Sequence, residues 1–453
     1  MGFVLISPED NVRVDLENGH KYAARDIKSG ENIVKYGFPI GTATADITEG
    51  EHVHSHNMRT SLSEKGEYTY TEVKSSHEKT EPAMISAYVR KNGDIGIRND
   101  IWIVNTVGCV NKIAEKISSL TGAFSFSHPY GCSQLGDDHG ITQKILKGLI
   151  THPNAGGVLV LGLGCENNNI EEMKRVLGEY DGERVRFLNA QDSTDEVTEG
   201  VRIIDELKAL AEKDKRRSVP ISKLKIGLKC GGSDGLSGIT ANPTCGRVTD
   251  RLTSMGGTAV LTEVPEMFGA EHILMERAVS REVFEDTVRL INNYKRYFIS
   301  HGQPVSENPS PGNKEGGITT LEEKSLGCVQ KGGKAPVTAV LNYGDRLERS
   351  GLNLLNGPGN DMVSVTNLTA AGCHLILFTT GRGTPLGAPV PTVKVSTNTA
   401  LALKKPSWID FDAQSGSAEE LFDLTVAVAE GKTTKNEING FREIAIFKDG
   451  VTL

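Results

Sequence analysis

Three histidines alternate along one short stretch of the chain, His52-Val53-His54-Ser55-His56. In an extended strand, side chains two residues apart point to the same face, so the three imidazoles would line one side. Imidazole nitrogens bind divalent ions such as iron, manganese and zinc. The spacing therefore predicts a metal or substrate site at these histidines, and the alternative is that the rings only form hydrogen bonds on a surface strand. One strand supplies no further ligands, so water, substrate or another domain must complete the site, which favours catalysis over a structural role.

Cysteines stand after several predicted parallel strands, at the edge where α/β sheets bind ligands. They are Cys109, Cys132, Cys165 and Cys230, and His128 precedes the second of them. The spacing contains no C-x-x-C pair, which excludes a zinc ribbon and a local ferredoxin signature. An iron–sulfur cluster assembled from separate strand ends stays open and is the less favoured alternative. A second alternative is that these cysteines line a crevice as small, soft residues beside a single metal ion. The simplest interpretation is that most of them are small buried side chains.

A glycine-rich segment follows the strand that ends at Cys230. Residues 231–243 contain four glycines and several hydroxyl groups, a composition that predicts an anion cradle of exposed N–H groups. The segment fits neither the dinucleotide fingerprint nor the phosphate loop, so nucleotide binding has no support. Ser233 and Asp234 lie within it. Asp234 is a candidate acid, base or metal ligand, or else part of an Asx turn or helix cap.

Two further loops carry cations. Arg382 stands between two glycines after a predicted strand, two residues beyond Thr380, where its planar guanidinium could bind a carboxylate through two hydrogen bonds. Lys314 and Lys324 lie in the segment 308–328. They are candidates for binding sugar-acid oxygens or, if desolvated, for taking a proton, and the alternative is that both are ordinary surface lysines.

Hydrophobic periodicity predicts how these residues are positioned. Residues 1–73 read as a small all-β domain, 74–92 as a polar linker, and 93–217 and 218–453 as two α/β domains with mainly parallel sheets. The basic run 213–217 marks the boundary between the last two. A chain of 453 residues is long enough for about three domains.

The composition of the chain indicates which partners and which compartment to expect. A formal net charge of -8 argues against a nucleic-acid partner. No apolar run approaches the ~20 residues that span a membrane, so no membrane partner is expected. The first residues lack a secretory leader and the seven cysteines are few and odd in number. We therefore expect a cytoplasmic protein.

Longer motifs across nearly the whole chain resemble the altronate/galactarate dehydratase family, sugar-acid dehydratases with an N-terminal SAF (β-clip) domain. The motifs are residues 50–57, 152–157, 162–168, 231–243, 265–271, 308–328, 379–385, 394–398 and 408–411. The resemblance implies a SAF domain followed by two α/β domains, and it is closer to the altronate branch than to the galactarate branch. It implies metal-dependent removal of water from a hexonate, with D-altronate giving 2-dehydro-3-deoxy-D-gluconate. Galactarate dehydration, or C–S cleavage of a sulfonated hydroxy acid as in a sulfolactate sulfo-lyase, are the alternatives.

The resemblance also implies a division of roles. Fe²⁺ or Mn²⁺ would bind at His54 and His56, with His52 beside them. Arg382, with Lys314 or Lys324, would hold the substrate carboxylate, and Ser233 and Thr380 would line the same site. Proton transfer would fall to His128, Asp234 or Lys314. The partner is a small sugar acid, and a homo-oligomer is compatible with the sequence.

Overall fold

The computed structural model describes residues 2–62, 68–71 and 78–453. The predicted domain boundary at residue 73 and the first residues of the predicted linker lie outside the described residues. The multidomain layout, with a small β domain before two parallel α/β domains, is confirmed. The division at residues 92 and 217 stays a prediction.

The N-terminal domain contains two small antiparallel sheets, with strand orders β1-β2-β3-β6 and β4-β5-β7. Its strands are β1 (Phe3–Val4), β2 (Val12–Asp15), β3 (Lys21–Ala23), β4 (Asn32–Lys35), β5 (Phe38–Ala43), β6 (His52–Val53) and β7 (Met58–Arg59). Val12, Ile33 and Ile40, each from a different strand, are buried in its core. The small all-β domain that the sequence pattern predicted is confirmed.

The histidine stretch is not one extended strand, so that part of the prediction is wrong. Strand β6 ends at Val53, and residues 54–57 turn. Asn57 closes the turn: its Oδ1 accepts from the His54 N–H at 2.9 Å, and its Nδ2 donates to the His52 carbonyl at 3.0 Å. An Asn side chain that bonds nearby backbone stabilises a turn over a strand.

A three-stranded antiparallel sheet, in the order β14-β8-β9, joins the second domain to the third. Its strands are β8 (Met84–Val89), β9 (Ile95–Gly96) and β14 (Arg216–Pro220). Residues 84–89 therefore form a strand where a linker was predicted, because Ile85 and Ala87 are buried against the core. The basic run at 213–217 enters β14, where the Arg216 guanidinium donates to the Ser86 carbonyl at 2.7 Å.

The second domain has a four-stranded parallel sheet in the order β11-β10-β12-β13, with helices packed on both faces. Its elements are β10 (Asp100–Asn105), α1 (Asn111–Thr121), β11 (Phe124–Phe126), α2 (Gly136–Ile150), β12 (Ala155–Gly162), α3 (Ile170–Leu177), β13 (Val185–Asn189) and α4 (Glu196–Ala211). The predicted alternation of strands and helices is confirmed. Because the strands are parallel, the loops after β10, β11 and β12 meet at one edge.

The third domain has a seven-stranded parallel sheet in the order β17-β18-β16-β15-β19-β20-β21. Its strands are β15 (Lys225–Cys230), β16 (Thr258–Leu261), β17 (Val337–Leu341), β18 (Gly351–Leu355), β19 (Leu375–Thr380), β20 (Thr392–Ser396) and β21 (Phe411–Asp412). Its helices are α5 (Ala241–Ser254), α6 (Glu271–Met275), α7 (Arg281–Ser300), α8 (Pro311–Glu315), α9 (Leu321–Cys328), α10 (Asp361–Ala371), α11 (Thr399–Lys404), α12 (Ala418–Ala429) and α13 (Lys435–Ile438). Strand β15 lies between β16 and β19, where the strand order reverses, and such a switch point is where open α/β sheets form a ligand crevice.

Helix α8 falls inside a segment predicted as a loop. Ser310 and Asn313 cap it reciprocally, which stabilises one helical turn that hydrophobic periodicity does not reveal. Among the described residues, none of the helices combines the length and the apolar character needed to cross a lipid bilayer.

Candidate active site

A buried ion pair, in which one glutamate is shared by two lysines, holds the N-terminal domain on the third domain. Lys21 Nζ lies 2.8 Å from Glu323 Oε2, and Lys35 Nζ lies 2.9 Å from Glu323 Oε1. All three side chains are buried. Burial alone would raise the pKa of Glu323, but the two lysines outweigh it and lower that pKa to about 2. The charged carboxylate therefore holds strands β3 and β4 against helix α9.

Four imidazoles gather beside this ion pair. His20 Nδ1 lies 3.0 Å from His52 Nε2. The ring centroid of His52 lies 5.4 Å from that of His54 and 5.8 Å from that of His56. The structure therefore brings the three predicted histidines together despite the turn, and it adds His20, which sequence reasoning missed. Residues 20 and 52 are neighbours only because β3 pairs with β6, and local spacing gives no sign of that pairing.

His20, His52, His54 and His56 form an imidazole cluster, and electrostatics favour the neutral form of two of its members, His52 and His54. Burial, with smaller contributions in the same direction from the neighbouring imidazoles and Lys21, lowers the pKa of His52 to about 4. Burial also lowers the pKa of His54. Neutral imidazole is the form that binds metal ions. Imidazole nitrogens are donors that suit a divalent ion of the iron type. No three of these rings bring their nitrogens within 4.8 Å of one another, so binding an ion through three of them would require the rings to move closer together.

Helix α8 connects the imidazole cluster to the predicted carboxylate-binding arginine. His54 Nε2 lies 2.9 Å from the Lys314 carbonyl oxygen on one side of the helix. On the other side, Arg382 donates to the Gly312 carbonyl at 3.0 Å and pairs with Glu315 at 3.1 Å. The Arg382 side chain is 46% exposed, so a bound carboxylate can replace Glu315 as its partner. The Lys314 side chain is on the exposed face of the same helix.

The glycine-rich segment after β15 packs beneath α8. The Asn313 amide donates to the Ser233 carbonyl at 2.9 Å, and the Arg382 N–H donates to the Gly232 carbonyl at 3.0 Å. Ser233 Oγ is buried and has no hydrogen-bond partner among the described residues. Thr380 is buried at the end of β19, where its hydroxyl accepts from the Gly383 N–H at 2.9 Å.

Asp234 lies in the same segment with its carboxylate surrounded by donors. The Thr397 hydroxyl donates to it at 2.8 Å, the Ser237 hydroxyl at 3.0 Å and the Asn398 amide at 3.2 Å. Burial raises the pKa of Asp234, and these hydrogen bonds partly offset the shift. The contacts favour the turn-forming interpretation of Asp234, and its part in proton transfer stays a prediction.

Lys324 is not an ordinary surface lysine. Its Nζ lies 2.7 Å from Glu266 Oε1 and donates to Asn308 at 3.0 Å and to Asn313 at 3.2 Å. Burial opposes the charge, but Glu266 outweighs it and raises the pKa of Lys324. Lys324 is therefore a buried cation whose amide partners belong to the loop that carries α8.

A buried group of thiols and carboxylates lies below that cation. Cys230 Sγ is 3.4 Å from Cys328 Sγ and 3.1 Å from Glu266 Oε2, and this trio could hold a metal ion. Lysines already neutralise it: Lys331 Nζ is 2.8 Å from Cys230 Sγ, and Lys324 pairs with Glu266. The hydrogen bond from Cys328 lowers the pKa of Cys230 to about 6. Sequence reasoning missed Glu266 and Lys331, which reach this position from separate segments.

The structure does not bring His128 to this site. The residue lies in the second domain, after β11, and its ring bonds to nearby backbone: Nε2 to the Asn105 carbonyl at 2.8 Å and Nδ1 to the Tyr130 N–H at 3.2 Å. Both ring nitrogens are used in fixing two loops. The predicted role of His128 in proton transfer stays a prediction.

Three family models match successive parts of the chain. The model described as "Altronate/galactarate dehydratase SAF domain" matches residues 6–61. That described as "D-galactarate dehydratase/Altronate hydrolase, second domain" matches residues 87–212. That described as "D-galactarate/Altronate dehydratase, C-terminal" matches residues 221–452.

Curated relatives match over almost the full length. An altronate dehydratase of Bacillus subtilis (strain 168) is 54% identical over 98% of this chain and 93% of its own. An altronate dehydratase of Escherichia coli (strain K12) is 53% identical over the same shares. A galactarate dehydratase (L-threo-forming) of Escherichia coli (strain K12) is 31% identical over 95% of this chain and 90% of its own.

Proposed function

Because the chain belongs to the altronate/galactarate dehydratase family, we propose that it is a hydro-lyase that converts D-altronate into 2-dehydro-3-deoxy-D-gluconate and water. The observation that carries the proposal is the near-full-length identity to altronate dehydratases, which exceeds that to a galactarate dehydratase by more than twenty percentage points.

The reaction sets the chemical demands on the site. A base takes the proton on C2, the C3–O bond breaks with protonation of the departing hydroxyl, and the resulting enol becomes the 2-oxo acid. A carbon beside a carboxylate is a weak acid, so removal of its proton requires that charge developing on the carboxylate be neutralised.

We assign the metal, Fe²⁺ or Mn²⁺, to His54 and His56 with His52 beside them and His20 as an added candidate. When bound, the ion would act as a Lewis acid on the substrate oxygens. The lowered pKa values of His52 and His54 support this assignment, because the neutral imidazole is the form that binds metal ions. The Cys230, Glu266 and Cys328 group is the weaker choice, because an ion there would have to displace Lys331 and Lys324.

We assign the substrate carboxylate to Arg382, whose present partner Glu315 is an exposed surface acid. Lys314 lies on the same short helix, where it can hold a second oxygen or take a proton. The unpartnered Ser233 hydroxyl and the neighbouring Thr380 form the floor of this site. Lys324 is a buried cation that positions the loop carrying α8. Asp234 remains a candidate for proton transfer.

The proposed setting is a cytoplasmic one, with a small sugar acid as the partner and a homo-oligomer compatible with the fold. Few and unpaired cysteines support a reducing compartment.

The test is anaerobic incubation of the full chain with D-altronate, galactarate or sulfolactate, each with Fe²⁺ or Mn²⁺. We expect 2-oxo acid from D-altronate at the highest kcat/KM. A higher kcat/KM on galactarate would assign the chain to the other activity of the family. Release of sulfite from sulfolactate as the main reaction would contradict the dehydratase proposal.

A further inference from the structure

Three exposed cysteines lie at one edge of the second domain. Cys109, Cys132 and Cys165 are exposed, whereas the other four cysteines are buried. Free cysteine is one of the most buried residue types, so three exposed ones together require an explanation. They follow β10, β11 and β12, which are neighbours in the parallel sheet, so their loops meet at its carboxyl edge.

Hydrogen bonds tie the three loops to one another. The Gly108 N–H donates to the Tyr130 carbonyl at 2.9 Å, which joins the first loop to the second. The Asn168 N–H donates to the Gly131 carbonyl at 3.0 Å, which joins the third loop to the second. The Thr106 hydroxyl donates to Glu166 at 2.5 Å and links the first to the third. Every cysteine is thus within three residues of a bond to another cysteine's loop.

Gly131, next to Cys132, allows the closest of these approaches. Its φ is +99°, and a Cβ there would lie 2.0 Å from the Thr106 carbonyl oxygen. Only glycine tolerates this conformation and this contact. The backbone is therefore built to hold Cys132 against the loop that carries Cys109.

Two of the sulfur atoms have neutral hydrogen-bond donors beside them. Gln191 Nε2 lies 3.6 Å from Cys165 Sγ, and Ser133 Oγ lies 3.9 Å from Cys132 Sγ. Donors of this kind around cysteine sulfur are a feature of iron–sulfur sites, where they tune the cluster. By contrast, the buried Cys230 has a lysine at its sulfur.

The spacing distinguishes a cluster from a single ion. Among the described residues, only Cys230, Glu266 and Cys328 bring three ligand atoms close enough for one ion. The sulfur atoms of Cys109, Cys132 and Cys165 therefore do not all lie within 4.8 Å of one another. A cubane cluster binds each thiolate at a different corner, and so it suits sulfurs that surround a larger group.

We propose that Cys109, Cys132 and Cys165 bind an iron–sulfur cluster of the [4Fe–4S] type, with one thiolate on each of three irons. The three thiols lose their protons as the cluster, supplied as ferrous iron, an equal amount of ferric iron and sulfide, is inserted, so no further oxidant is needed. The fourth iron is left for a ligand other than cysteine. This site is in a different domain from the imidazole cluster and does not rest on the proposed function.

The test uses the full chain, purified and reconstituted without oxygen with equal amounts of ferrous and ferric iron and with sulfide, then desalted. Iron, acid-labile sulfide and the electron paramagnetic resonance spectrum of the reduced protein are measured. We expect about four irons and about four sulfides per chain. C109S, C132S and C165S should each lose most of both, whereas C245A and His54→Ala should retain them.

Two measurements guard against a folding artefact. Circular dichroism checks that each variant is folded, and alkylation of the unaltered chain compares the three cysteines before and after reconstitution. We expect all three to be protected by the cluster. Iron without sulfide, unprotected cysteines, a disulfide between any two of them in place of iron, or retention of the cluster by the three serine variants would overturn the proposal.

Discussion

His54 Nε2 lies 2.9 Å from the backbone carbonyl oxygen of Lys314, and this contact joins the N-terminal domain to helix α8. The helix also holds the Arg382 guanidinium through the Gly312 carbonyl. The imidazole cluster and the carboxylate-binding arginine therefore share one short element as their spacer. A shift in the position of the N-terminal domain would therefore alter the distance between the imidazole cluster and Arg382.

The first prediction concerns this histidine. His54→Ala should lower metal-dependent turnover of D-altronate by at least ~100-fold, because it removes a proposed ligand as well as the contact to α8. The measurement is kcat during titration with Fe²⁺ or Mn²⁺, together with bound metal after desalting. His301→Ala is the matched control, since this exposed histidine pairs with Asp449. Full activity in His54→Ala would remove the imidazole cluster from the site.

A second prediction separates binding from chemistry at Arg382. Arg382→Lys should raise KM for D-altronate about tenfold to a hundredfold with a smaller effect on kcat, because a lysine cannot make two parallel hydrogen bonds to a carboxylate. Glu315→Gln is the paired variant. It removes the carboxylate that pairs with the Arg382 guanidinium, so KM should stay unchanged or decrease. A KM that rises in Glu315→Gln and stays constant in Arg382→Lys would contradict this assignment.

Most of the fold could be predicted from local patterns. The strands and helices of both α/β domains follow runs and periodicities contained within a few residues, as in β12 and α7. Asn57 shows the limit of this approach. Alternating histidines favour a strand, but the Asn57 side chain bonds the backbone of two preceding residues, His52 and His54, and converts the stretch into a turn.

The polar interior of the site could not be predicted, because it depends on non-local partners. Glu323 is an ordinary helix residue in the sequence, and its two lysines come from the other domain. Lys324, its neighbour, turns the opposite way toward Glu266. Nothing in the spacing of these residues encodes the pairings, which exist only once strands of distant segments are assembled.

The buried ion pair leads to a third prediction, on stability. Glu323→Gln should destabilise the protein by roughly 3–5 kcal/mol, because Lys21 and Lys35 would lose the counterion that compensates for their burial. Urea unfolding at constant pH measures the effect. Asp46→Asn, which breaks an exposed pair with Lys28, should cost less than about 1 kcal/mol. Equal effects of the two substitutions would show that the pair contributes nothing beyond surface charge.

A fourth prediction tests the contact between the domains. A Cβ at Gly235 would lie 1.9 Å from the Gly19 carbonyl oxygen, so Gly235→Ala should force the N-terminal domain away from the glycine-rich segment. We expect loss of activity and faster proteolysis between the domains. Gly182→Ala is the control, since its Cβ would meet nothing within 4 Å. Unchanged proteolysis and full activity in Gly235→Ala would refute a rigid contact here.

The last prediction concerns a buried amine on β20. Lys394 Nζ lies 3.5 Å from the centroid of the Phe378 ring and has no hydrogen-bond partner among the described residues. Burial lowers its pKa to about 7, and the nearby Lys229 acts in the same direction. An unfolded chain keeps this proton up to about pH 10, so between those limits the unfolded state binds more protons than the folded state. The free energy of unfolding therefore decreases, because of this group, as the pH falls from 10 toward 7.

Lys394→Met should remove that dependence. The free energy of unfolding of the unaltered chain should gain up to ~1.4 kcal/mol per pH unit from this group between pH 7 and 10, and the variant should not show that gain. Its advantage over the unaltered chain should thus be largest near pH 7 and shrink as pH rises. Urea unfolding across this range measures both, with the exposed Lys404→Met as control. Parallel pH profiles for Lys394→Met and the unaltered chain would mean that the amine keeps its proton in the fold, stabilised by the aromatic face of Phe378.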